Sequence, residues 1–367
     1  ADCWVLTDGA VDPTSLLSGQ PSSFAIAQQK QPVTSRAAEN LFWLGRYTER
    51  AENTVRLAET VLDQLDGEEP GTQALLAWLT EVSRENALVL ADVPDALHSS
   101  RVFARSLMAN LAPHPQDPAA ASSFSVGFNL GALANAAAQV RERLSREHWN
   151  LIERLRTGFA AGAARRLDNG DFNTGGAQLL LQEASQQLAA ITGSQTDRMV
   201  RDDGWRLLSI GRHIERLATL SRALALGLQT GSVHEPAGFE AMVALFDSTI
   251  TFHAQYQQRR DMVALIDLLV MDRDNPRSLA WVAHTLRGRL AKLAQSPAHE
   301  LSEMSLQVPS PDRWDLATLC ESPADGPVMG PLRTLLKSLC QAAYTVSEDI
   351  STTYFTHSGE TKQSVGT

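Results

Sequence analysis

The chain has 367 residues, of which 43% are hydrophobic and 20% charged, enough apolar material for a sizeable core. A net charge of −10 argues against a nucleic-acid-binding protein, which carries a basic patch or stripe. No run of about 18 apolar residues occurs, so no transmembrane helix and no membrane partner are expected.

Residues 1–34 differ from the rest. Cys3 to Thr7 reads as a short extended run closed by Asp8-Gly9, and Pro13, Gly19, Pro21 and Pro32 read as linker. Thr34 or Ser35 then caps a long helix to about Asp66. Helices are expected over roughly 72–90, from Asp92-Val93-Pro94 to about Leu111, over 129–167 as one long element, and over 178–191. Ala112 to Pro118 and Asp168 to Asp171 read as loop and turn. A second half begins near Thr196. Asp202-Asp203-Gly204 starts a helix to about Leu228, and Phe239 to Val270 reads as one helix. Asn275-Pro276 reads as a helix start with an Asn cap, followed by Arg277 to Ala294. The last long helix spans about Pro331 to Phe355, and residues 358–367 read as a frayed tail. Good helix formers dominate. The fold class is therefore all-α: a multi-helix bundle of two pseudo-repeated halves, about 35–192 and 196–357, preceded by an irregular tail.

The halves are inferred from a repeat. Leu44-Gly45-Arg46-Tyr47-Thr48-Glu49-Arg50 matches Ile210-Gly211-Arg212-His213-Ile214-Glu215-Arg216, an apolar-Gly-Arg-x-x-Glu-Arg pattern. On the first copy, helical periodicity places Glu39, Arg46, Arg50 and Asn53 on one stripe bordering Trp43 and Tyr47, so part of the charge is enclosed. Two readings stay open. Arg46, Arg50, Arg212 and Arg216, with Glu49 and Glu215, can bind an anionic group, because a guanidinium fork matches carboxylate and phosphate. They can equally form interhelical ion pairs that fix the register between the halves. Gly45 and Gly211 fit a close helix approach. Arg206, Arg259 and Arg277 are further candidates for anion contacts.

Scattered histidines form no metal-ligand pair, and the Glu49/Glu52 spacing suits ion pairing better than metal, so no metal and no cofactor are expected in this segment. Cys3, Cys320 and Cys340 read as free thiols of a reducing, cytoplasmic compartment. A carboxylate flanked by arginines is a poor base at neutral pH, which counts against Glu49 or Glu215 as a catalytic base. A pure oligomerisation scaffold is a further possibility.

Ser35 to Glu52, Arg201 to Arg206 with Ile210 to Arg216, Leu265 to Leu269, Asn275 to Leu279 and Tyr354 to His357 together resemble the bacterial alpha-E family over about residues 33–357. Residues 2–17 look like the end of a circularly permuted ATP-grasp domain, which in that family is often fused upstream. The resemblance implies a helical accessory module of an ATP-grasp peptide-ligase system. ATP and Mg are implied only for the upstream domain, and the implied partners are that domain and an acidic peptide. One departure is Thr251-Phe252-His253-Ala254-Gln255-Tyr256, where the family tends to carry more arginines.

Overall fold

The computed structural model describes residues 33–67, 71–112, 125–167, 173–257, 259–297, 300–322 and 329–355. The expectations for the N-terminal tail, for the turn at 168–171, for most of the loop at 112–118 and for the C-terminal tail lie outside these residues. Everything below concerns the unit from Thr34 onward.

Among the described residues there are 14 α-helices and no strand, so the chain is all-α. In chain order they are α1 (Ser35–Leu65), α2 (Gln73–Glu85), α3 (Ser100–Ala109), α4 (Val126–Gln139), α5 (Arg146–Leu167), α6 (Thr174–Asp197), α7 (Asp203–Thr230), α8 (Pro236–Leu245), α9 (Thr249–Tyr256), α10 (Met262–Ile266), α11 (Leu279–Leu293), α12 (Glu303–Gln307), α13 (Leu316–Cys320) and α14 (Gly330–Tyr354). No helix among the described residues is long and apolar enough to cross a membrane.

Two helices organise the rest. α1 starts where the Thr34 hydroxyl accepts from the Ala37 amide, and α7 where the Asp202 carboxylate accepts from the Trp205 amide. Both bury residues on most sides: Leu41, Phe42, Leu44, Val55 and Leu62 on α1, and Leu207, Ile210, Ile214, Leu217 and Leu224 on α7. A helix buried nearly all round belongs at the centre of a bundle. The two pack against each other. α4, α6 and α8 cover α1, and α2, α11 and α14 cover α7.

Several boundaries differ from expectation. The helix expected over 129–167 is two, because the chain turns through a 3₁₀ segment at Arg141–Arg143 before Ser145 restarts it. The helix expected over 239–270 is three plus a π-turn at Asp267–Met271. It breaks at Asp247 and Gln257, both with positive φ, a conformation costly in a helix interior. The third helix begins at Ser100, not beside Pro94. α11 is capped by Ser278 rather than Asn275. Apolar residues continue across the breaks at Arg141–Arg143 and Asp247, so the sequence pattern does not reveal those two, whereas residues 257–261 are a run of five polar residues that marks the break at Gln257.

Half-buried Glu59, on α1, gives a pH-dependent test of this packing. Burial pushes its carboxyl up to about 7, with Asp63 adding to the rise against the pull of Arg56. The folded chain then keeps a proton that the unfolded chain releases, so stability falls as pH rises from 4.5 through about 7. Glu59→Gln is expected to raise Tm at pH 8 by about 2–4 °C and to leave it unchanged at pH 4, as read by thermal melts at both values.

Candidate functional site

α1 and α7 touch backbone to backbone. A Cβ placed on Gly45 would stand 2.8 Å from the Leu208 carbonyl carbon and would overlap its oxygen. One placed on Gly211 would overlap the Phe42 carbonyl oxygen and stand 3.2 Å from the Arg46 amide nitrogen. Phe42 and Leu208 are themselves equivalent in the repeat, so the contact is reciprocal.

The charges follow the same exchange. Arg50 holds Glu215 with both ends of its fork, Nε to Oε1 at 2.7 Å and Nη2 to Oε2 at 3.0 Å. Arg216 holds Glu49 likewise, at 2.6 and 2.7 Å. Arg46 donates to Glu215 at 2.9 Å, and Arg212 to Glu49 at 3.1 Å. Each Glu-Arg dipeptide thus gives its carboxylate to the other helix's arginines and its guanidinium to the other helix's glutamate.

Beyond the reciprocal core the two sides diverge. Glu49 is fully buried and receives a third guanidinium, Arg277, whose Nη1 donates at 3.1 Å. Arg277 also pairs with Glu52, and Arg56 reaches Asp247 at 2.9 Å. The loop before α11 delivers Arg277. Asn275 Nδ2 donates to Ser248 Oγ at 3.0 Å and to the Leu268 carbonyl at 3.2 Å, and Asn275 Oδ1 accepts from the Arg277 amide at 3.0 Å. The Asn-Pro step therefore fixes an arginine rather than opening a helix. Burial alone would raise the Glu49 carboxyl, but Arg216, Arg277 and Arg212 outweigh it and hold the group far below the usual carboxylate range. Arg216 is lowered by burial and by repulsion from Arg277, since four guanidiniums surround two buried carboxylates and a half-exposed Asp247. This side is a closed clasp.

The other side is open. A cavity of about 550 Å3 is lined by Arg46, Arg50, Glu215, Ala218, Arg222 and Glu85, with Cys340 and Tyr344 at its wall. Arg46 Nη1 donates to Ser347 at 2.8 Å, and its guanidinium lies over Trp43 at 5.2 Å. Arg50 lies over Tyr47 at 5.6 Å. Arg222 is well exposed and pairs with Glu85, with Nε to Oε2 at 2.8 Å. Burial would raise the Glu215 carboxyl, yet Arg50 and Arg46 hold it below its ordinary value.

The difference between the sides has one sequence origin. In the repeat, Ala218 stands where Glu52 stands in the first copy, and Arg222 where Arg56 stands. Glu52 fills its side and draws in Arg277. Ala218 leaves the matching space empty, beneath Arg46, Arg50 and Arg222.

The remaining candidates lie elsewhere. Glu39 stands ten residues before Glu49 on α1, about 15 Å along the axis. Arg206 pairs with Asp203 at the start of α7. Arg259 is exposed and pairs with Asp261 at 3.0 Å, and Tyr256 donates to Asp267 at 2.7 Å, so neither faces the centre. Arg277 belongs to the clasp. Sequence reasoning missed Asp247, Arg222 and Glu85. Extending the repeat six residues past Arg50 and Arg216 would have found Arg222. Burial holds His213 at about 3, so it is neutral at pH 7. Cys320 and Cys340 are free and half-buried. Among the described residues no group of His, Cys, Asp and Glu could hold a metal ion.

Comparison with known proteins gives the family. Residues 33–355 match the Alpha-E family, described as a predicted alpha-helical domain with a conserved ER motif. Relatives include uncharacterized proteins of Mycobacterium bovis and Mycobacterium tuberculosis, each 27% identical over 292 residues. The match covers 74% of this chain but 32% of theirs, so the chain spans about a third of the length of those curated relatives. No solved structure matches. Both central helices carry the Glu-Arg dipeptide, at 49–50 and 215–216, and the chain belongs to the Alpha-E family of helical domains.

Proposed function

We propose that this chain is a non-catalytic helical module that receives a carboxylate, such as a glutamate side chain of an acidic peptide or partner domain, in the cavity beside Glu215. The observation that carries this reading is Ala218. On the closed side a carboxylate, Glu52, occupies the equivalent position and satisfies arginines. On the open side three guanidiniums face two carboxylates, Glu215 and Glu85, around an empty space. An incoming carboxylate would complete there what Glu52 completes on the other side, with the bidentate geometry arginine favours.

The reading extends to an accessory role in a cytoplasmic ATP-grasp peptide-ligase system. It is supported by the family resemblance and by the greater length of the mycobacterial relatives, which leaves room for further domains. An enzyme using Glu49 or Glu215 as base is disfavoured. Glu49 is sealed from solvent, and both carboxylates are held low by their arginines.

Ala218→Glu tests the proposal. The new side chain should fill the cavity, leave the fold intact and abolish binding of a poly-glutamate peptide that the wild type binds in calorimetry. No binding to the wild type, or equal binding to Ala218→Glu, would sink the reading.

A further inference from the structure

A second group of arginines gathers at the start of α7, outside the clasp and the cavity. The Arg289 guanidinium of α11 lies 4.5 Å from the centre of the Trp205 ring, and that of Arg201 lies 5.1 Å from it. Trp205 is fixed. Its indole Nε1 donates to the Gln195 carbonyl at 2.8 Å, and its amide donates to Asp202 at 2.9 Å. Arg206, one residue on, is held by Asp203, while Asp202 is taken by Arg143. Arg201 donates to the Thr196 carbonyl at 3.3 Å. Among the described residues neither Arg201 nor Arg289 has a carboxylate within 4.0 Å, and Arg289 Nε is buried with no hydrogen-bond partner.

The arrangement is unfavourable as it stands. Burial lowers the Arg289 guanidinium, and the nearby Arg201 and Arg206 lower it further by repulsion. Stacking on the buried Trp205 indole is worth about 2 kcal/mol where it is desolvated, but it acts on Arg201 and Arg289 and not on Arg206. The start of a 28-residue helix adds positive potential at the same place.

We infer that Arg201 and Arg289, which lie over the Trp205 ring, together with Arg206 close to Arg289, form an anion site that takes a dianionic phosphate group. Charge selects the class. With Asp203 neutralising one arginine, two positive charges remain, which a phosphate monoester or inorganic phosphate balances and a single carboxylate does not. Arginine forks suit phosphate oxygens. The site is independent of the cavity beside Ala218 and stands or falls without it.

Binding of inorganic phosphate, O-phosphoserine and glutamate to the chain by calorimetry and thermal shift, at low and high salt, tests the inference. Both phosphates should bind and raise Tm, more weakly at high salt, and glutamate should bind far less. Inorganic phosphate binding the tighter would assign a free phosphate, and O-phosphoserine the tighter a phosphate carried on a larger molecule. Arg289→Gln should weaken either by about tenfold or more. Without ligand it should melt no lower than the wild type, since repulsion is relieved. Ala218→Glu should bind phosphate as the wild type does, which separates this site from the proposed carboxylate cavity. If Arg289→Gln does not fold, Arg201→Gln on the exposed edge repeats the measurement. The inference is overturned if neither phosphate binds, if glutamate binds as tightly, or if the variant binds unchanged.

Discussion

Glu49→Ala is expected to cost about 3–5 kcal/mol of folding stability, the scale for removing one partner of a buried ion pair. The carboxylate is inaccessible to solvent and accepts from Arg212, Arg216 and Arg277. Its loss leaves those three guanidiniums with only Glu52 and the half-exposed Asp247 among them. Glu215→Ala removes the equivalent carboxylate on the open side, where water from the cavity can solvate Arg46 and Arg50. The expected loss there is smaller, about 1–2 kcal/mol. Urea unfolding of the two variants makes the comparison directly. Equal losses would mean that the two sides are energetically alike and that the cavity does not hydrate its arginines. The wild type should also resist acid. The Glu49 carboxyl is held low by its arginines, so its contribution is present above pH 4.5 and fades only well below it, as pH falls through the lowered value.

Gly45→Ala is expected to destabilise the chain by about 2–3 kcal/mol, the scale of overpacking a tight interior. In an open helix the same change would stabilise by about 1 kcal/mol. Here the added methyl meets the Leu208 carbonyl, main-chain atoms that can yield only if α1 and α7 separate. Separation would stretch every Glu-Arg pair across the crossing. Gly211→Ala should behave the same way against Phe42. Gly158→Ala is the control, because nothing lies within 4 Å of a Cβ there, and it should gain stability. Denaturation midpoints of the three variants decide the matter. A neutral Gly45→Ala would show that the crossing tolerates a wider spacing.

The central helices were legible because two signals coincide. Helical periodicity puts Arg46, Glu49 and Arg50 on neighbouring faces, and the repeat at Arg212, Glu215 and Arg216 supplies partners of opposite sign. The glycines announced the close approach, since a mid-helix glycine needs a reason. What the sequence left open was whether the centre is closed or open. That depends on a single side chain, Glu52 against Ala218, and on a loop arginine arriving from Asn275-Pro276-Arg277. Both involve residues remote in sequence, and nothing local in the Asn-Pro step distinguishes a helix start from a loop that positions its neighbour. The polar run at 257–261 does mark the break at Gln257, but the break at Asp247 was hidden for a related reason. The apolar pattern serves the shared core, not any one helix, so it runs on where the backbone turns.

The exchange of partners between the two dipeptides has a consequence for assembly. A helix bearing Gly-Arg-x-x-Glu-Arg meets every requirement for pairing with an identical copy of itself about a twofold axis, since each group finds its complement in its own sequence. One short segment therefore encodes both faces of the contact. Carrying two versions on a single polypeptide keeps that economy while lifting the demand that they stay alike. One copy is then free to seal its flank with a built-in acid, and the other to leave its flank open.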